Sequence, residues 1–136
     1  MNIRTLIIIH LNFLISVFQL SGQEYNISSP DSHLKISIEF SKETCFNIAH
    51  KGQEVVEKIC IDLTLSDGRE FGSSPKVIRS KSEKFNQYIE VPIPNKDRII
   101  EFEFNQLIFL FQKKYNLIIR AYNDGFAYRF IDNKNN

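Results

Sequence analysis

The sequence predicts an all-β protein built as an antiparallel β-sandwich, on three observations. Phe, Ile, Val and Tyr are plentiful while Gly numbers 5 and Trp is absent, a composition suited to pleated, half-buried strands. Period-two alternation recurs in short runs separated by turn residues at the spacing of a sandwich. No stretch carries the 3.6-residue periodicity of a long helix.

The elements follow in chain order. Met1 to Arg4 is a short positive segment, Thr5 to Leu20 a hydrophobic run, and Leu20-Ser21-Gly22 ends in small residues. Residues 1–22 are therefore expected to be a cleaved signal peptide, and the chain to be exported to a periplasm or secreted. The run is interrupted by His10, Asn12 and Gln19, so it is too short to form a membrane span, which needs about 20 mostly apolar residues. Residues 23–136 form the expected folded part. Pro30 and Asp31 in SSPDS suit a turn. It launches Leu34 to Phe40, where Leu34, Ile36, Ile38 and Phe40 alternate with Lys35, Ser37 and Glu39. The runs TCFNIAH and EVVEKICIDLTL flank His50-Lys51-Gly52-Gln53, a hairpin loop with Gly52 at the positive-φ position. The second run is expected to continue to Ser66-Asp67-Gly68, and GREFGSSP to be loop. Five further runs follow: KVIRSKSEK, NQYIEVPIP, RIIEFEF, QLIFLFQ and NLIIRAY. LIFLF and Leu117 to Ile119 are apolar on both faces, as central strands of a two-layer core are.

Composition and charge narrow the function. The chain has 17 basic and 16 acidic side chains. Removing residues 1–22 takes away Arg4 and no acid, leaving 16 of each and zero net charge. With no basic run there is no electrostatic footprint for nucleic acid. His33 and His50 are isolated, and the glycines form no phosphate loop, so no metal site, nucleotide site or cofactor is expected in this chain. Glu101 and Glu103 share a strand face, the ordinary outcome of alternation, and no catalytic residue is assigned. Cys45 and Cys60 lie in apolar runs. Export permits a disulfide between them, and burial as small hydrophobes is the alternative.

The stretch Arg120 to Phe130, RAYNDGFAYRF, is the densest in chemistry. A three-residue loop, Asn123-Asp124-Gly125 with Gly125 left-handed, sets Tyr122 opposite Phe126 and Arg120 opposite Tyr128. A loop of Asp124-Gly125 alone sets Arg120 against Arg129, a like-charge pair, and is disfavoured. In the favoured register Ile118, Arg120, Tyr122, Phe126, Tyr128 and Phe130 share one face. That face is expected to be core, with Arg120 stacked on Tyr128 or paired at the sandwich edge. The alternative is a carbohydrate-binding platform formed by Arg120, Tyr122, Asn123, Phe126 and Tyr128, in which rings stack on sugar faces while Arg and Asn donate hydrogen bonds.

RAYNDGFAYRF closely resembles the Arg-Ala-Tyr-Asn-Asp-Gly-Val-Ala-Phe-Arg-Tyr stretch of the N-terminal domain of glycoside hydrolase family 97, the family of SusB-like α-glucosidases and α-galactosidases. SSPDSHLKISIEF is similar to that domain's opening Ser-Pro-Asp-Gly-X-Leu strand, FNIAHKGQEVV to its first hairpin, and FNQLIFLF to its Asn-Glu-Leu strand. Ser32 stands where the family has Gly, Gln106 where it has Glu, and the segment near VPIPNKDR matches loosely. The resemblance implies an incomplete galactose-mutarotase-like super-sandwich, inert alone. Its expected partner is a (β/α)8 barrel in cis that hydrolyses α-glucosides or α-galactosides with calcium in the full-length enzyme. A free-standing exported carbohydrate-binding module, or a non-functional gene fragment, is the alternative.

Overall fold

The computed structural model describes residues 22–90 and 99–134. The signal-peptide expectation for residues 1–22 lies outside the described residues except for Gly22, as does the loosely matching segment at residues 91–98. The described residues contain ten strands and no helix: β1 (Gln23–Ser28), β2 (Leu34–Phe40), β3 (Thr44–His50), β4 (Gln53–Ile61), β5 (Leu63–Thr64), β6 (Glu70–Phe71), β7 (Val77–Glu90), β8 (Ile99–Phe111), β9 (Tyr115–Tyr122) and β10 (Gly125–Asp132). Two antiparallel four-stranded meanders, β1-β2-β3-β4 and β10-β9-β8-β7, pack face to face, and β5-β6 forms a small third sheet.

Alternation builds the first layer. Leu34, Ile36, Ile38 and Phe40 are buried, and Thr44, Phe46 and Ile48 lie beside them on β3. The second layer answers with Leu107, Phe109 and Phe111 of β8 and Tyr115, Leu117, Ile119 and Ala121 of β9. Rings carry the contact between sheets: Phe109 meets Tyr25 and Phe40 edge-on, each at 4.8 Å between centroids. Burying each such side chain stabilises the fold by roughly 1.5–3 kcal/mol. At one end Phe71 stacks on Tyr115 and Tyr115 on Phe111, both at 4.6 Å. Burial pushes the Tyr115 phenol pKa up, and its oxygen accepts the Gly72 N–H at 3.1 Å. Gly72 has φ +89°, and a Cβ there would collide with the Ile61 carbonyl oxygen. Only glycine fits that crossing.

Several expectations change. The run after Gly52 does not continue unbroken: β4 stops at Ile61, and a register shift interrupts its ladder with β3 between Phe46 and Ile48. Lys58 takes φ 43° there, its N–H donating to Asn47 Oδ1 at 2.8 Å. GREFGSSP contains β6, held by pairing of Leu63 with Phe71. The five later runs merge into three strands, because β7 and β8 pair without interruption from Arg79 opposite Leu110 to Glu90 opposite Ile99. β1 is an additional strand, and its Tyr25 and Ile27 carry the alternation that marks it. The β3–β4 hairpin does place Gly52 at positive φ, with Lys51 also left-handed.

The β1–β2 turn explains the departure at Ser32. Ser29 Oγ donates to Asp31 at 2.5 Å and accepts the Leu34 N–H at 2.9 Å, while Ser32 is forced to φ 62°. A left-handed non-glycine residue is strained by about 1–2 kcal/mol, offset by glycine's larger unfolded-state entropy of about 0.5–1 kcal/mol. Ser32→Gly is therefore expected to stabilise the protein by roughly 0.5–1 kcal/mol in urea unfolding. A lower midpoint would show that the serine side chain contributes more than its backbone costs.

Arg69 ties the small sheet to the end of β10. Its Nε donates to Asp67 and its Nη1 to Asp132, both at 2.7 Å. The guanidinium holds both carboxyls below their ordinary range, and the Ser29 hydroxyl, followed by the His33 N–H, does the same for Asp31. Folded-state values below the unfolded ones mean stabilisation that is present above the ordinary carboxylate value and lost as pH falls through the folded values. The melting temperature should hold from about pH 7 to 5 and fall below about pH 4. Asp132→Asn should lower the plateau and flatten the fall; an unchanged acid limb would remove these carboxylates from the account.

Candidate functional site

The closing hairpin adopts neither of the two expected registers. Gly125 pairs with Tyr122, Phe126 with Ala121, Ala127 with Arg120, Tyr128 with Ile119, Arg129 with Ile118 and Phe130 with Leu117. The loop is therefore Asn123-Asp124, and Gly125 is a strand residue that is not left-handed. A one-residue shift moves every following side chain to the other face. The core decides it: Phe126, Tyr128 and Phe130 now point the same way as Leu117, Ile119 and Ala121. Phe126 and Tyr128 meet Phe46 of the opposite sheet at 6.0 and 5.8 Å, and Phe130 meets Phe71 at 5.9 Å. Packing three rings between the sheets outweighs the local turn preference.

The five residues considered for a carbohydrate platform are thus divided. Phe126 and Tyr128 face inward, Tyr128 remaining 45% exposed because β10 is an edge strand. Arg120 and Tyr122 face outward. Asn123 bridges the two sheets: its Oδ1 accepts the Asp31 N–H at 3.0 Å, pinning the β9–β10 turn to the β1–β2 turn. Asn105, which sequence reasoning passed over, makes a parallel tie through its amide to the Ser28 carbonyl at 2.8 Å.

On the outward face, aligned registers place Glu83, Gln106 and Arg120 on one rung across β7, β8 and β9. Arg120 Nε donates to Gln106 Oε1 at 2.6 Å, and Gln106 Nε2 donates to Glu83 Oε2 at 2.8 Å. Lys81 closes the chain on Glu83 and, with Gln106, holds that carboxyl below its ordinary range. Arg120 does not stack on Tyr128; its guanidinium lies 4.6 Å from the centre of the Phe104 ring. Phe104 also stacks on Phe85 at 4.6 Å and touches Tyr122 at 5.3 Å, leaving it 4% exposed on an outer face.

Two hollows flank this cluster. One, of about 110 Å3, is lined by Ile118, Arg120, Tyr122, Ala127, Tyr128 and Arg129. The other, of about 330 Å3, lies between the β8 end and the β9–β10 turn and is lined by Glu101, Phe102, Glu103, Tyr122, Asn123 and Asp124. Its carboxylates do not converge as metal ligands. Among the described residues only Glu43, Cys45 and Cys60 bring three such ligand atoms together. Those two cysteines are joined to each other as a disulfide across β3 and β4, so the set does not suit calcium, which takes six to eight oxygens.

The glycosyl-hydrolase 97 N-terminal family model matches residues 27–136. The chain belongs to that family. A retaining alpha-galactosidase of Bacteroides thetaiotaomicron is 28% identical over 110 residues, which are 81% of this chain and 16% of that protein. A glycoside hydrolase family 97 enzyme from Pseudoalteromonas sp., solved with acarbose, superposes with TM-score 0.69 at 18% identity, covering 78% of this chain and 17% of its own. A beta-arabinopyranosidase superposes at 0.66 with 17% identity, covering 79% and 18%. The chain thus spans about a sixth of the length of these relatives. The family 97 N-terminal fold is the antiparallel β-sandwich described above, and Phe126 and Phe130 of RAYNDGFAYRF pack against its core.

Proposed function

We propose that this chain is the N-terminal module of an exported family 97 glycoside hydrolase. A catalytic (β/α)8 barrel in cis supplies the chemistry on α-galactosides or α-glucosides, and this module is inert alone. The family match over residues 27–136, aligned to only 16% of a retaining alpha-galactosidase, is the observation that carries the reading. Export is consistent with the Cys45–Cys60 disulfide, which persists in oxidising compartments. Calcium is expected in the full-length enzyme, and no residue of this chain is assigned to it. Residues 23–136 should give no turnover of p-nitrophenyl α-galactoside or α-glucoside above buffer; turnover that survives repurification would overturn the reading.

A second reading, a carbohydrate-binding module, is favoured by the 330 Å3 hollow, where the Phe102 and Tyr122 rings adjoin Glu101, Glu103 and Asp124. Calorimetry with melibiose and maltotriose separates the two. Saturable heat, abolished by Phe102→Ala, supports binding at that hollow; no heat leaves the module structural.

A further inference from the structure

The smaller hollow has an unusual charge arrangement. With Ala127 opposite Arg120 and Arg129 opposite Ile118, the two arginines are diagonal neighbours on one face, roughly 7–8 Å apart along the sheet. Both line the hollow, and no carboxylate lines it. Arg120 spends its Nε on the neutral Gln106 amide, and among the described residues neither guanidinium joins an acid. The register that turns the Phe126, Tyr128 and Phe130 rings toward the opposite sheet brings these two like charges onto one face as diagonal neighbours. The site around them is built: Arg120 is held in place by Gln106 and the Phe104 ring, and Ile118 is only 8% exposed. Tyr122 and Tyr128 complete the lining.

We propose that the Arg120–Arg129 hollow is a carboxylate-binding site. A guanidinium presents a planar fork that matches a carboxylate in two parallel hydrogen bonds, and a second cation beside it strengthens the attraction. At about 110 Å3 the hollow admits the carboxylate end of a ligand and leaves the remainder on the surface. Two sources offer that chemistry: the carboxylate of a uronic sugar, and an acidic side chain of adjoining polypeptide. The proposal does not rest on glycosidase function, since the site is defined by charge and shape alone.

The test is an NMR titration of residues 23–136, following the Arg Nε–Hε resonances with D-galacturonate, N-acetylglutamate and D-galactose. Both carboxylates are expected to shift Arg120 and Arg129 saturably, with affinity falling as sodium chloride rises. Arg129→Gln should weaken binding about tenfold, and Arg129→Lys, which keeps the charge and loses the fork, should fall between. Shifts with galacturonate alone assign the site to an acidic saccharide, and shifts with N-acetylglutamate alone assign it to polypeptide. Shifts no larger than those with galactose, or unchanged in Arg129→Gln, overturn the site.

Discussion

Replacing Phe109 by alanine is expected to cost about 3–5 kcal/mol of stability. Phe109 is fully buried on the central strand β8 and meets Tyr25 and Phe40 of the first layer as well as Phe111 of its own. Truncation removes the transfer energy of the ring and leaves a cavity that neighbours on two sheets cannot both close. Against a typical total of about 5–15 kcal/mol, that loss leaves a marginal domain. Phe102, 36% exposed beyond the end of the sandwich, serves as the control, and Phe102→Ala should cost about 1 kcal/mol or less. Urea unfolding reads both, with the midpoint moving and the slope unchanged. A loss below about 1 kcal/mol for Phe109→Ala would mean that the two layers do not share one core.

Opening the Cys45–Cys60 bridge should rank next. The two residues face each other across β3 and β4, 15 positions apart in sequence. A closed loop of about 15 residues restricts the unfolded chain by roughly 3 kcal/mol. The strand it holds has little else: β4 is mostly exposed, with Val55 at 57% and Ile59 at 47%, and its ladder is broken opposite Asn47. The double variant Cys45→Ser, Cys60→Ser should lose about 2–4 kcal/mol, and dithiothreitol should reproduce the loss in the parent protein. Coincident unfolding curves with and without reductant would show that the loop is already restricted in the unfolded state.

Legibility in the sequence follows where a single physical signal dominates. β2 is legible because alternation there is unbroken, and the β3–β4 hairpin because positive φ favours glycine at Gly52. β7 was split because its largely exposed residues alternate poorly; its continuity comes from pairing with β8, which no local pattern records. The closing hairpin departs from its expected register for the converse reason. Turn chemistry and a like-charge penalty argued for one loop, while the demand of Phe46 and Phe71 for facing rings, invisible in the local sequence, selected another. The Glu83–Gln106–Arg120 rung was hidden for the same cause, since it depends on registers across three strands. Family resemblance is independent of the hairpin register because it rests on residue order and not on which face each residue takes.

RAYNDGFAYRF turns the Phe126 and Tyr128 rings toward Phe46 of the opposite sheet, and Arg120, Tyr122 and Arg129 to the outer face. An aromatic NOESY spectrum of residues 23–136 tests this placement most directly. Cross-peaks from the Phe46 ring to the Phe126 and Tyr128 rings, with Tyr122 connected instead to Phe102 and Phe104, are the expected result. A cross-peak between the Phe46 and Tyr122 rings, with none from Phe46 to Phe126, would contradict the register and the carboxylate site that depends on it.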